Sequence, residues 1–194
     1  ALTYRDAKTK TAQSLTDINL NTAFSGLTAP LDAKGSAVWN GETLTLEAGV
    51  STPSALASGQ ASAFAIALGG APITLSYKGN AAMTGASGNA DITIPSLPKL
   101  VKWTGGAFDW KGATALSFTA KGALNCDLTA CSFSKSQLSL DAIKAKGDFW
   151  FGFSGKPEIV AKLAIDALDL NPYLAKKHAS LSLISSAYAM EPWS

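Results

Sequence analysis

The sequence predicts an all-β fold, mainly antiparallel, arranged as a curved sheet with a groove or as a sandwich, with one short α-helix near residues 95–104. Apolar and polar residues alternate with period two in many short segments, which is typical of strands with one buried face. Turn-forming pairs such as Asn40-Gly41 and Gly79-Asn80 fall between these segments, so that strands recur about every 8 to 12 residues.

The alternation begins clearly at Leu44 and Leu46, which alternate with Thr43, Thr45 and Glu47, and recurs until Ile165. The most aromatic stretch, residues 149–153, places three phenylalanines on one face and Trp150 on the other. The apolar positions that we expect to form the core or to face a lipid are Leu44, Leu46, Phe64, Ile66, Leu68, Ile73, Leu75, Tyr77, Leu116, Phe118, Phe149, Phe151, Phe153, Ile159 and Leu163.

One segment has the helical period instead. Leu97, Leu100 and Val101 stand at positions i, i+3 and i+4, Ser96 can cap the start, and Gly105-Gly106 can end the helix. The segment separates two blocks of strands, and we expect it to cap one end of the sheet.

The two blocks contain a recurring Lys-Gly pair. We predict a degenerate repeat of strand–Lys-Gly–strand units, with the pair at strand junctions, although a common turn dipeptide explains each case singly. The pairs on which the prediction rests are Lys34-Gly35, Lys78-Gly79, Lys121-Gly122 and Lys146-Gly147.

The two cysteines, Cys126 and Cys131, are separated by four residues that can form a hairpin loop. Residues that flank such a loop lie at a distance compatible with a disulfide, so we predict a Cys126–Cys131 bond. The alternative is two free thiols. A disulfide would indicate an oxidising compartment such as the periplasm.

Composition excludes several functions. The 194 residues allow one domain, or one domain and a linker, and only 15% of them are charged. The formal net charge is +2 and Arg5 is the only arginine, so we expect no nucleic-acid partner. Such low charge means that the chain buries much of itself or carries an apolar surface with a purpose.

We predict that the protein is not an enzyme and needs no cofactor or metal. The only histidine, His178, lies in a Ser- and Ala-rich stretch, where a catalytic triad would not be held rigidly. The carboxylates are scattered, and even the close pair Asp166 and Asp169 is more typical of solvated turns than of a glycosidase. Nucleotide-binding and metalloprotease motifs are absent from the sequence.

The tryptophans leave a third function open. Carbohydrate-binding modules use flat tryptophan platforms beside polar partners, and Trp39, Trp103, Trp110 and Trp150 are candidates, although a core role fits them better.

The order of several short motifs resembles the AsmA family of bacterial envelope proteins, over residues 1 to about 174. The motifs are 2–6 (LTYRD), 15–20 (LTDINL), 38–44 (VWNGETL), 51–56 (STPSAL), 94–97 (IPSL), 103–105 (WTG) and 168–174 (LDLNPYL). We therefore assign residues 1–174 to an AsmA-like β-rich domain, and residues 175–194 to a linker that leads to a following segment.

The resemblance implies the periplasmic part of a protein anchored in the inner membrane by a segment outside this chain. It is similar to proteins of the TamB type, which implies that an apolar groove carries phospholipid toward the outer membrane. Acyl chains would gain about 0.8 kcal/mol for each buried CH₂ group. The alternative is a structural β-domain that assists outer-membrane protein assembly and binds envelope proteins, by strand addition for example. Cys126, Cys131 and the cluster at 149–153 depart from the family pattern.

Overall fold

The computed structural model describes residues 2–6, 11–107, 109, 115–156 and 158–173. The predicted linker, residues 175–194, lies outside the described residues. The elements in chain order are β1 (Leu2–Asp6), β2 (Thr11–Phe24), β3 (Leu31–Trp39), β4 (Glu42–Val50), α1 (Pro53–Ala57), β5 (Ser62–Gly70), β6 (Thr74–Ala82), β7 (Gly85–Ile94), α2 (Leu97–Trp103), β8 (Phe118–Asp127), β9 (Ala130–Leu140), β10 (Ile143–Gly152), β11 (Glu158–Ile165) and a 3₁₀ turn (Asn171–Tyr173).

All eleven strands form one sheet in which each strand pairs with its neighbours in sequence, and every pairing is antiparallel. The all-β prediction is confirmed. Of the two arrangements left open, the described strands form an open single sheet, because no second sheet covers either face. The Asn40-Gly41 turn between β3 and β4 has positive φ at both residues, as the tightest hairpins require.

The strand ends define two rims of the sheet. The α2 rim contains the turns that follow β3, β5 and β9 and the long α2 connection between β7 and β8. The α1 rim contains the connections 25–30, 51–61, 83–84, 128–129 and 153–157.

Helix α2 confirms the predicted helix and its caps. The Ser96 hydroxyl accepts a hydrogen bond from the Lys99 amide at 3.4 Å, and Gly105, with φ of +87°, follows the last turn. Trp103 anchors the helix to the β3–β4 turn: its indole Nε1 donates to the Trp39 carbonyl at 2.9 Å, and its own carbonyl accepts from the Asn40 side chain at 2.9 Å. The helix therefore caps one rim, as expected.

The sequence analysis missed helix α1. It is a single turn that begins at Pro53, and the Ser54 amide donates to the Leu27 carbonyl at 2.8 Å, which ties the 25–30 and 51–61 connections together. A helix of five residues has too few apolar positions to show a period, and the only signal was proline after Thr52.

The Lys-Gly pairs do not lie at strand junctions, so that prediction is wrong. Each pair occupies the middle of a strand: β3, β6, β8 or β10. The pairing of β6 runs unbroken through Gly79, which lies opposite Phe64 and Gly88, so the predicted turn at Gly79-Asn80 is also absent. Because side chains alternate across a strand, lysine points to one face and glycine to the other.

Two β-bulges interrupt the ladder, at Asp17 in β2 and at Lys135 in β9, and both residues have positive φ. At the second bulge, the Lys135 amide donates to the Asp148 carboxylate at 2.8 Å and the Ser136 hydroxyl donates to the Gly147 carbonyl at 2.6 Å. Bulges bend a strand and increase its twist. The middle of β9 is therefore a place where the sheet curves.

Candidate functional site: an apolar groove on one face

One face of the sheet carries an apolar groove across β5 to β10, with a volume of about 520 Å³. Its lining includes seven of the fifteen apolar positions singled out in the sequence, namely Phe64, Ile66, Leu75, Tyr77, Phe118, Phe149 and Phe151. Sheet alternation brings these residues together: paired positions such as Ile66 and Tyr77 lie side by side on the same face.

The other eight positions lie around this groove. Leu44 and Leu116 are buried at the α2 rim, where Leu116 accepts a backbone hydrogen bond from Leu97 at the start of α2. By register, Leu46 and Leu68 continue the apolar face toward β4, and Ile159 and Leu163 continue it onto β11. Ile73 lies in the turn before β6, and Phe153 follows β10.

The sequence analysis missed half of the groove, mainly its small side chains. Alanine is a weak signal of a buried face, and a residue such as Ala120, only 2% exposed, does not stand out in an alternating pattern. Ile92, Leu124 and Phe133 were the large residues overlooked, and the last two lie next to the disulfide hairpin and the bulge, respectively. The missed lining residues are Ala81, Ala86, Ala90, Ile92, Ala120, Leu124, Cys131 and Phe133.

Small residues also occupy the middle of the strands on the groove face. Gly79 and Gly88 lie opposite each other, and a Cβ on Gly79 would collide with the backbone of Ser87 and Gly88. Tyr77 lies beside this pair, and its hydroxyl donates to the Asn80 carbonyl at 2.8 Å, which satisfies its polar atom. Burial raises the pKa of the Tyr77 phenol.

Phenylalanines form the wall near the α1 rim. The rings of Phe133 and Phe149 are 5.2 Å apart at their centres, and those of Phe151 and Phe153 are 6.0 Å apart. Exposure increases along this series, from 2% for Phe133 to 36% for Phe151 and 44% for Phe153. The groove therefore passes from a packed core to an exposed apolar margin.

The disulfide prediction is confirmed. Cys126 and Cys131 are register partners at the end of the β8–β9 hairpin and are bonded to each other. The Asp127 carboxylate accepts three further hydrogen bonds inside the turn, from the Thr129 amide and hydroxyl and from the Ala130 amide, at 2.7 to 2.9 Å. Both the covalent bond and these hydrogen bonds fix this hairpin beside the groove.

The opposite face of the sheet is polar. Lys34 and Glu47 form an ion pair at 3.2 Å, and Lys121 and Asp91 form a longer one at 3.8 Å. All four side chains are largely exposed, so each pair contributes little to stability. This face provides solubility while the other face provides the groove.

The tryptophans do not form an array of flat platforms. Trp39 and Trp103 pack edge to face with ring centres 4.4 Å apart, and this contact holds α2 against β3. Trp150 lies on the polar face against Gly152. Trp110 lies outside the described residues.

The candidate reactive groups are not assembled into a site within the described part of the chain. Asp166 and Asp169 follow β11, where the Asp169 carboxylate accepts from the Asn171 amide at 3.0 Å in a local turn. His178 lies outside the described residues. Among the residues described, no group of three His, Cys, Asp or Glu side chains could hold a metal ion. None of the described helices is long and apolar enough to cross a membrane.

The fold and groove define a class: an open, antiparallel β-sheet protein with one apolar face and one polar face. No protein-family model, no curated protein and no solved structure matches this chain.

Proposed function

We propose that this chain is a non-enzymatic lipid-binding module, and that the groove holds the acyl chains of a phospholipid. The observation that supports it is the lining itself, which consists of Phe, Ile, Leu, Tyr, Ala and Cys side chains. Such a lining gives acyl chains the surroundings that they lose on leaving a bilayer, at about 0.8 kcal/mol per CH₂ group. The volume of about 520 Å³ is within the range of small-molecule sites.

The open side of the groove argues for an occupant. Within the described residues the face is covered by no second sheet, and α2 reaches only one rim. Soluble proteins rarely leave large contiguous apolar surfaces exposed unless these bind something. Headgroup recognition is not required, because the groove needs to accept only the tails.

The setting that we propose is the periplasm, within an AsmA-like protein anchored in the inner membrane and active in outer-membrane biogenesis. Its support is the order of motifs in residues 1–174 and the Cys126–Cys131 disulfide, which is typical of an oxidising compartment.

The alternative is a structural module that assists outer-membrane protein assembly by adding a strand from an envelope protein. Strand β11 favours it, because among the described strands β11 pairs with β10 alone and all eight of its residues are exposed. Unpaired N–H and C=O groups on such an edge can accept another strand.

Adjacent residues of β10 provide a matched test of the groove. Phe151 lines the groove at 36% exposure, while Trp150 points to the polar face at 38% exposure. We expect native mass spectrometry with lipid extraction to detect bound phospholipid on the wild-type chain. Phe151→Asp should reduce the bound fraction at least about tenfold, because a carboxylate among acyl chains costs several kcal/mol.

Trp150→Asp is the control and should retain its lipid, with circular dichroism showing that both variants are folded. Absence of lipid from the wild-type chain under all conditions, or equal loss in both variants, would reject the groove and favour strand addition.

A further inference from the structure

The two rims differ in charge. The α1 rim connections, residues 25–30, 51–61, 83–84, 128–129 and 153–157, contain one charged residue, Lys156. Around the α2 rim, the described connections carry Lys99, Lys102, Asp109 and Asp141, and Asp166 and Asp169 follow β11 there. The α1 rim connections therefore carry a single charge, whereas the α2 rim carries charges of both signs.

The same rim exposes a large apolar side chain at four of its five connections. Leu27 is 57% exposed, Met83 is 72% exposed, Leu128 is 70% exposed and Phe153 is 44% exposed. The remaining connection, which contains α1, is uncharged and is hydrogen-bonded to the Leu27 loop. Single exposed apolar side chains are common on protein surfaces, so the distinguishing feature of this rim is that four of them share an edge whose connections carry one charge.

We propose that the α1 rim rests on a lipid bilayer and inserts these side chains into its interfacial region. Successive hairpins are roughly 10 Å apart, since strands are spaced at about 4.8 Å. Leu27, Met83, Leu128 and Phe153 thus form separate apolar points among Ser, Thr and Gly residues. A protein interface has a close-packed core, which four separated side chains do not provide.

The local electrostatics fit this partner. Asp127 is exposed beside Leu128, and its carboxylate accepts hydrogen bonds from Thr129 and Ala130 at the base of the turn, whose two tip residues are Leu128 and Thr129. Lys156 can extend its ammonium to the headgroups while its stem follows the apolar margin. A rim without clustered lysines contacts neutral lipid as well as anionic lipid.

The rim is continuous with the groove. Cys131 and Phe151 line the groove and lie beside the Leu128 and Phe153 connections, respectively. This inference goes beyond groove binding, because it concerns the surface on which the module sits, and each proposal can fail without the other.

The test is flotation of the full chain with vesicles of phosphatidylcholine at low and high salt. We expect the wild-type chain to float with little dependence on salt, and the double variant Met83→Asp/Leu128→Asp to lose binding at least about tenfold. Leu168→Asp is the matched control, because Leu168 is 58% exposed beyond the α2 rim. It should change binding less than about twofold.

A soluble fluorescent fatty acid separates the two proposals. The rim variant should bind this probe as the wild type does, whereas Phe151→Asp should lose it. No flotation of the wild type, unchanged flotation of the rim variant, or an equal loss in Leu168→Asp would overturn the proposal. The milder pair Met83→Ser/Leu128→Ser, with an unchanged urea midpoint, guards against a folding defect.

Discussion

The two faces of the sheet hold hollows of similar size but opposite chemistry. One hollow on the polar face has a volume of about 590 Å³ and is lined by residues such as Lys34, Glu47 and Asp91, whereas the groove has about 520 Å³ and an apolar lining. A twisted sheet produces concavities on both sides. Volume therefore does not identify the site here, and the alternation of side chains along each strand does.

The faces also differ in what the middle of each strand contributes. On the polar face the central position is often a lysine, and on the groove face its neighbour is a glycine, as in Lys78-Gly79 and Lys146-Gly147. In each of these dipeptides the lysine side chain faces solvent on one face, and the glycine allows the neighbouring backbone to approach closely on the other face. Substitutions at adjacent residues can separate these roles.

The largest effect is expected at Phe133, which is 2% exposed and packs with Tyr77, Ala90 and Ala120 in the core of the groove face. Phe133→Ala should lower the free energy of unfolding by about 3–5 kcal/mol, because it removes apolar contacts and leaves a cavity. Gln137→Ala, on the exposed face of the same strand, should change it by less than about 0.5 kcal/mol. Urea denaturation measures both, and similar effects would contradict the assignment of the faces.

A smaller effect is expected at Gly147, which has φ of +150° beside the bulge in β9. A Cβ there would collide with the Lys162 carbonyl, so Gly147→Ala should destabilise the protein by about 1–3 kcal/mol. Lys146→Ala, one residue earlier, should be nearly neutral. If thermal unfolding shows the two variants to be equally stable, the close approach of β10 and β11 is not as described.

The smallest effect is expected on the pH dependence of stability, at the β8–β9 hairpin on the α1 rim. The Thr129 side chain, and then the Thr129 and Ala130 amides, hold the pKa of Asp127 below its usual range. The hydrogen bonds to the ionised carboxyl stabilise the hairpin fully at pH values above the ordinary aspartate pKa of about 3.9. This contribution is lost as the pH falls through the lower pKa of the folded state. An NMR titration of the carboxyl should show the low pKa, and Asp127→Ala should abolish this part of the pH dependence. A midpoint at or above the ordinary value would refute the prediction.

The sequence was sufficient for the features that local chemistry determines. Alternation identified strands from Leu44 onward, the Ser96 cap and Gly105 delimited α2, and the spacing of Cys126 and Cys131 predicted their disulfide. Each of these depends on residues that are close in the chain.

The features that depend on the neighbouring strands were misjudged. Gly79-Asn80 is a typical turn pair, but its register opposite Phe64 and Gly88 places Gly79 inside β6. Lys135 gives no sign of a bulge, because the extra residue is defined only against β8 and β10. Period-two alternation also suits a sandwich, and only the strand order shows that the apolar face is open.

The uninterrupted strand order has a consequence for how the molecule forms. Since every strand pairs with the one before it, most pairings join residues that are near in sequence, which favours rapid folding for a β protein. The sheet can grow one hairpin at a time, and the disulfide-closed β8–β9 hairpin is a compact starting unit. By the same logic, inserting or deleting one complete hairpin would change the length of the groove by roughly 10 Å while leaving the remaining register intact.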